Sequence, residues 1–393
     1  MSRINLLFFL YAAVIVGLFL YSFTQVDLSL TLTRFGFLQT IQQKFQYIGF
    51  FQRPLSTAIF SIVSGFLFLF YFIFLYLSKK NRLNIKKVWI SIIFLGLLLS
   101  FSYNAFSYDL FNYMFDAKIV TYYHQNPFIH KALDFPADPM LSFMRWTHRL
   151  YPYGPSWLFL TVPLSFVGAG FLLPTFFLFK LLMGTSYLGA CFLIYKISEK
   201  LFPKEKLLNL SFFAFNPLVI IEGLVSSHND MPMIFFTLAA IYLFVINKKL
   251  LSLLSYVFSI GIKYATIVLA PVFLWIYYMK RKRREIDWEK VFVYLTVLSL
   301  FGALIATVRT NFQPWYLLGS ISFAAFVSKK YYIFAPFIIL SIFGVLVYAP
   351  YVFLTDYNEN YPVVVSIIES VGFAASAVTT LMFVLYRKRF KLR

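Results

Sequence analysis

Residues 85–116 read IKKVWISIIFLGLLLSFSYNAFSYDLFNYMFD. Two lysines precede an apolar run over 88–105, and the run gives way to a polar stripe at Asp109, Asn112, Tyr113 and Asp116. About 17–25 apolar residues suffice for one membrane-spanning helix. Lys and Arg gather in cytoplasmic loops, whereas Asp and Glu contribute little to that sorting. The stretch therefore reads as a crossing that leaves a cytoplasmic basic cluster and continues, as the same helix, into an outer loop carrying carboxylates. The i, i+3, i+4, i+7 spacing puts the four polar residues on one helical face. Leu110, Phe111, Met114 and Phe115 take the other sides. Such a stripe either faces a wet cleft or another helix, or is a solvated helix end.

The same pattern recurs along the 393 residues, of which 61% are apolar, 22% aromatic and 13% charged. Soluble domains carry about 25% charged residues, so a soluble single domain, a disordered chain and a coiled coil are excluded. The one cysteine, Cys191, excludes a disulfide framework and a thiolate metal cluster. Apolar runs lie at 4–23, 55–77, 88–105, 171–195, 207–225, 231–247, 291–308, 331–349 and 364–386, with shorter ones at 251–262, 264–279 and 315–327. The first follows Arg3 and lacks a small-residue cleavage site, so it reads as a retained helix and not a signal peptide.

Basic residues cluster at 79–87, 196–206, 248–249, 280–290, 329–330 and 387–393. With these inside, the connections 24–54, 106–154, 226–230, 309–314 and 350–362 lie outside, and both termini are cytoplasmic. The stretch 250–279 then crosses twice, its two short helices meeting near Lys263. The stretch 155–195 crosses an odd number of times: 171–195 spans, while 155–170, broken by Pro163 and Gly168-Ala-Gly170, is re-entrant or interfacial. The expected fold class is all-α, a polytopic integral membrane protein of about 12 transmembrane helices. It forms a single transmembrane domain over 1–393 with no soluble domain, and the extracytoplasmic loop 106–154 contains short interfacial helices. The formal net charge of +20 then reflects topology and attraction to lipid headgroups, with no nucleic-acid partner.

More than half of the 15 acidic residues fall in the outer connections: Asp27, Asp109, Asp116, Asp134, Asp138, Asp230, Asp356 and Glu359, with Glu222 just before 226–230. That bias concentrates general bases and metal ligands on one face. Asn126-Pro127 is a turn signal. From Asp138-Pro139 an amphipathic stretch alternates Met140, Phe143, Met144 and Leu150 with Arg145, His148 and Arg149, as suits a helix in the headgroup layer. It serves either as a plain anchor or, through His148 and Arg149, as a binder of lipid phosphate. Tyr151-Pro-Tyr-Gly-Pro155 closes the loop as a rigid turn with two phenols. At Asn216-Pro217 a proline breaks the helix, and Glu222 with Ser226-Ser-His-Asn-Asp230 packs His228, Asn229 and Asp230 between two spans, more polarity than a connecting turn needs.

Lys263 sits between two short apolar helices. A charge at membrane depth costs about 2.5–3.5 kcal/mol on insertion scales, so Lys263 either offsets an anionic phosphate or snorkels. Lys180 and Glu369 are also intramembrane and read as helix–helix partners. In Arg309-Thr-Asn-Phe-Gln-Pro-Trp-Tyr316, Arg309 and Gln313 can reach a phosphate or sugar; Trp315 and Tyr316 join that contact or the interfacial aromatic belt. A Gly-rich phosphate loop, H-E-x-x-H and G-x-S-x-G are absent, so an energy-rich substrate would arrive through the membrane.

The order of these features resembles the GT-C superfamily of polytopic glycosyltransferases that use polyprenyl-phosphate sugars. Within it the chain is most similar to the mannosyltransferase-like group, which includes actinobacterial alpha-mannopyranosyltransferases and, more distantly, the first mannosyltransferase of glycosylphosphatidylinositol assembly. The matching pieces are Ser107-Tyr-Asp-Leu-Phe-Asn-Tyr-Met-Phe-Asp116, Asn126-Pro-Phe128, Tyr151-Pro-Tyr-Gly-Pro155, Asn216-Pro-Leu218 with Ser227-His-Asn-Asp230, Gly261-Ile-Lys263 and Gln313-Pro-Trp-Tyr316. The resemblance implies inverting transfer of a sugar, mannose by this likeness, from a polyprenyl-phosphate donor to a lipid-linked or glycan acceptor on the extracytoplasmic side of the cell membrane. It implies Asp109 as general base, although here the loop follows the third span. Relatives carry two nearby acids, whereas here the second, Asp116, is seven residues on. Asp116 and Asp230 would orient the acceptor or hold a divalent cation, with no other cofactor expected; His228, Lys263 and Arg309 are candidates for the phosphate. A transporter or flippase of a lipid-linked or small anionic substrate is the alternative, since transporters place broken helices at midplane sites. The lack of an internal repeat and the one-sided acids favour the transferase.

Overall fold

In a computed structural model the described residues are 3–308, 310–355 and 358–390; Arg309 and Asp356 lie outside them. Among these residues the chain forms helices and no strand. In order they are α1 (Arg3–Ser22), α2 (Gly36–Phe50), α3 (Arg53–Lys79), α4 (Ile85–Leu99), α5 (Asp109–Thr121), α6 (Pro155–Val167), α7 (Leu172–Leu201), α8 (Lys206–Ala214), α9 (Pro217–Ile220), α10 (Asp230–Val245), α11 (Lys249–Ile262), α12 (Ala270–Arg281), α13 (Trp288–Ala306), α14 (Leu317–Ala324), α15 (Tyr331–Leu346), α16 (Tyr348–Leu354) and α17 (Tyr361–Phe390). The expected all-α class is what the chain adopts.

Among the described residues, six segments are long and apolar enough to cross a membrane: 4–25, 53–79, 172–201, 288–306, 331–354 and 361–386. A seventh is the pair 206–214 and 217–225, bent by 52°. Shorter apolar helices lie at 155–167, 230–245, 249–262 and 314–327. The centre is the bent pair: every residue from Asn209 to Ile234 is buried, as is every residue from Leu317 to Ser328. Helices apolar all round belong inside a bundle, and these two are ringed by longer neighbours. Lipid tails are as apolar as leucine, so packing of small residues and interhelical hydrogen bonds hold such helices together. Ser78 and Ser211 pair at 2.7 Å, Thr237 and Ser259 at 2.7 Å, and the Tyr187 hydroxyl donates to the Ala214 carbonyl at 2.6 Å.

Two expectations are corrected. First, α4 ends at Leu99, so Asp109 begins a new helix. The Ser100 and Ser102 hydroxyls donate to the carbonyls of Gly96 and Leu99, a local bonding that competes with helix continuation. Second, the stretch from Asp138 is no amphipathic α-helix but one 3₁₀ turn, Pro139–Ser142, followed by irregular chain in which Trp146 has a left-handed φ of 59°. Asp138 anchors it, accepting from the Tyr123 hydroxyl (2.7 Å) and the Met140 N–H (2.9 Å) and pairing with Lys118 at 2.5 Å. Burial alone would raise its carboxyl, but these contacts outweigh burial and hold it below the ordinary range. Lys180 and Glu369, both read as helix–helix partners, lie in different surroundings. Lys180 bonds Ser102, Leu224 and Val225, while Glu369 lines a small cavity with Phe312, Leu340 and Phe373.

The connection 24–54 also holds an unforeseen helix, α2. Its buried face carries amides: Gln42 bonds the Leu32 N–H (2.9 Å) and Leu30 carbonyl (2.7 Å), and Gln46 the Asp27 carbonyl (2.9 Å). Phe37, Leu38 and Tyr47 point outward, an inverted amphipathicity that suits a lipid interface.

Candidate active site

Asp109 is the first residue of α5. Its N–H donates to Ser107 Oγ at 3.1 Å, and the positive end of the helix dipole favours a carboxylate there. The apolar sides of α5 are buried, while Asp109, Asn112 and Asp116 remain partly exposed. The polar stripe is therefore not a freely solvated helix end: Tyr113 is buried and its three other members are only partly exposed.

The opposite wall comes from the broken span. Asn216 caps α9 by accepting from the Leu218 N–H at 2.9 Å and donates to Ser341 Oγ at 2.9 Å. After α9 the chain widens into a π-turn, Ile221–Val225; such turns are frequent at functional sites. Ser227 then adopts a left-handed φ of 59°, and the His228 N–H donates to the Glu222 carbonyl at 3.1 Å. This curl folds the imidazole back over the Glu222 side chain.

The two walls meet at His228. Its Nδ1 lies 3.3 Å from Asp109 Oδ2, and its Nε2 lies 3.2 Å from Glu222 Oε2. The side chains of His228 and Glu222 are fully buried, that of Asp109 is 18% exposed. Burial opposes charge on the ring, but the two carboxylates prevail and raise its pKa to about 9, so the ring is an imidazolium at neutral pH. Glu222 Oε1 accepts from the Tyr348 hydroxyl at 2.5 Å. Trp315 stacks on the imidazole, centroids 3.9 Å apart and planes 16° from parallel.

Beside this group, Lys263 Nζ pairs with Asp230 Oδ2 at 2.7 Å, the lysine 20% exposed, and stands 5.5 Å over the Tyr316 ring. The Tyr113 hydroxyl reaches Asn229 Oδ1 at 3.5 Å, and its ring packs edge-on to Tyr153 and Trp157. Asn112 Oδ1, Asn229 Nδ2, Glu222 Oε2 and both ring nitrogens of His228 are buried without a hydrogen bond to a described residue, so the approaches of His228 to Asp109 and Glu222 are ion-pair contacts. Asp116 makes no hydrogen bond or ion pair with a described residue, and burial raises its pKa to about 8. Tyr151 donates to the Gly154 carbonyl at 2.9 Å. Gly154 in turn abuts the Gly261 backbone so closely that a Cβ would collide with it, which joins the Tyr151–Pro155 turn to Lys263.

The structure thus gathers Asp109, Asn112, Tyr113, Glu222, His228, Asn229, Asp230, Lys263 and Trp315 from four separate stretches. His148 and Arg149 stay exposed, Arg149 lying over Trp146 at 4.1 Å, and neither bonds a member of the group. Gln313 precedes the turn that delivers Trp315. Arg309 lies outside the described residues. Among those residues no three His, Cys, Asp or Glu side chains converge as a metal site, and Asp230 is engaged by Lys263. Two contributors went unforeseen. Tyr348 is one of 28 tyrosines, inside an apolar run with nothing to single it out. Lys180 was visible as an intramembrane charge, but its carbonyl partners were not.

No curated protein and no solved structure matches the chain. Residues 15–279 match the family model of the alpha-(1->6)-mannopyranosyltransferase N-terminal domain. That match covers most of the chain and all of the group above except Trp315 and Tyr348, so the chain belongs to the alpha-(1->6)-mannopyranosyltransferase family and is a glycosyltransferase with a helical, membrane-type body.

Proposed function

We propose that this glycosyltransferase moves a mannosyl group from a polyprenyl-phosphate donor to the hydroxyl of a lipid-linked or glycan acceptor, on the extracytoplasmic side and with inversion. Asp109 is its general base. The observation that carries the proposal is the Asp109 carboxylate, partly exposed at the start of α5 and 3.3 Å from the buried His228 ring. An apolar body with this carboxylate at one end supports a donor that travels in the membrane. The acceptor oxygen bonds to the anomeric carbon as the bond from that carbon to the phosphate oxygen breaks. The acceptor proton passes to Asp109, and polyprenyl phosphate leaves with one more negative charge.

Lys263, partly exposed and held by Asp230, supplies the cation for that charge, since fixed charges act where charge develops. Asn112 and Asn229 offer the sugar an acceptor and a donor that no described residue bonds; a buried polar atom without a partner calls for an explanation. Asp109→Asn keeps the shape and removes the base. Transfer from radiolabelled polyprenyl phosphomannose should fall at least about a hundredfold, the order a general base contributes. Transfer near the wild-type rate would overturn the assignment.

A further inference from the structure

Both ring nitrogens of His228 face protein carboxylates. Asp109 and Glu222 face its two ring nitrogens at 3.3 and 3.2 Å, Trp315 covers one face at 3.9 Å, and the side chain is fully buried. Glu222 is equally committed, with Oε2 toward His228 and Oε1 on the Tyr348 hydroxyl at 2.5 Å. The chain Asp109–His228–Glu222–Tyr348 is open at its first member and sealed at its last.

We propose that His228, Glu222 and Tyr348 are positioning residues for the transfer step: the imidazolium aims Asp109, and Glu222 balances the imidazolium once Asp109 has taken the acceptor proton. The inference rests on Asp109 as the base. Before transfer, one positive charge is shared between two carboxylates. When the proton arrives, Asp109 becomes neutral. Without Glu222 the buried imidazolium would then have no counter-charge, and an unpaired buried charge is strongly unfavourable. With Glu222 a neutral ion pair remains, so proton uptake at Asp109 is eased. One proton moves, from acceptor oxygen to Asp109, and His228 keeps both of its own. Tyr348 donates to the Glu222 oxygen that His228 does not face and so fixes the carboxylate. The backbone supports the same arrangement through the bond from the His228 N–H to the Glu222 carbonyl.

The test uses the full-length protein in proteoliposomes with radiolabelled polyprenyl phosphomannose. Glu222→Gln keeps the shape and an acceptor oxygen for Tyr348 but removes the charge. We expect kcat to fall roughly 10- to 100-fold with donor KM within about twofold, because an interaction needed only in the transition state lowers kcat alone. In an Asp109→Asn background the same change should alter the residual rate by less than about threefold, since groups that act as a unit are non-additive. Wild-type kcat in Glu222→Gln, or an equal proportional loss in both backgrounds, overturns the proposal. So does a raised donor KM with unchanged kcat in His228→Gln, which would return His228 to the phosphate. Should Glu222→Gln not accumulate as folded protein, Tyr348→Phe reads the same chain: a kcat reduced about threefold or more at constant donor KM supports the role, and unchanged kcat overturns it. Full activity of Asp109→Asn alone would instead remove the base assignment, an outcome distinct from all of these.

Discussion

Asp109 and Asp116 share one face of α5, yet their surroundings give them opposite properties. Asp109 faces an imidazolium. Asp116 has no cation among the described residues, and burial raises its pKa to about 8, so at neutral pH it keeps its proton and can donate a hydrogen bond. An unfolded aspartate titrates near 3.9. The folded chain therefore binds more protons at this site between about pH 4 and pH 8. Its contribution to stability declines as pH rises through that window and levels off above it. Asp116→Asn is neutral at every pH and removes the decline. The variant should lose less thermal stability than the wild type between pH 5 and pH 8.5, with its unfolding midpoint at the higher pH about 2 °C or more above the wild type. Identical pH dependence in the two proteins would mean that Asp116 is ionised at neutral pH.

Lys180 ties two stretches of α7's surroundings into one site. From α7 it donates to Ser102, in the segment that leads to Asp109, and to the carbonyls of Leu224 and Val225, at the end of the π-turn that carries Glu222. It makes three such bonds, and the side chain is fully buried. Interhelical hydrogen bonds in membranes average about 0.6 kcal/mol, so Lys180→Met should lower stability by about 2 kcal/mol and let the two walls drift apart. The expected readout is a lower unfolding midpoint in detergent together with at least a tenfold loss of transfer, since small misplacements are severe in an oriented site; an unchanged midpoint and rate would show that Lys180 does not tie the walls. Such ties explain what the sequence could and could not reveal. Long spans such as α3 and α7 were legible because apolar length alone marks them. The end of α4 was not, because Phe101, Tyr103 and Phe106 keep the hydropathy high while serine hydroxyls stop the helix. Helix α2 escaped because its glutamines point inward. In the site, Asp109, Glu222 and His228 were legible because polar residues are scarce here, whereas the pairing of Glu222 with Tyr348 depends on two stretches 126 residues apart.

The bundle has two chemically distinct ends. At one, Lys329 pairs with Glu205 at 2.6 Å, Lys330 pairs with Glu289 at 3.0 Å, and Lys79 bonds Tyr331, which brings together the end of α3 and the starts of α8, α13 and α15. At the other lie Asp109, His228 and Lys263. Helix α11 runs from the first end toward the second with 14 residues, about 21 Å at 1.5 Å per residue, against a hydrocarbon core of about 30 Å. If Lys248 and Lys249 mark the cytoplasmic boundary, as the basic-cluster rule expects, Lys263 lies roughly 10 Å below the outer boundary. On the proposed reading, Asp109 and Lys263 would then sit toward the extracytoplasmic side, at a depth where a donor anchored by its own hydrocarbon chain presents its phosphate. The orientation is testable with single cysteines added to the wild-type chain, because Cys191 is fully buried and out of reach of the reagent. His148→Cys, in the exposed loop that follows α5, should react with a membrane-impermeant maleimide in intact cells. Arg283→Cys, in the exposed turn between α12 and α13, should react only after the membrane is permeabilised. The reverse pattern would put Asp109 in reach of cytosolic substrates and remove the reason for a donor that crosses the membrane on a lipid.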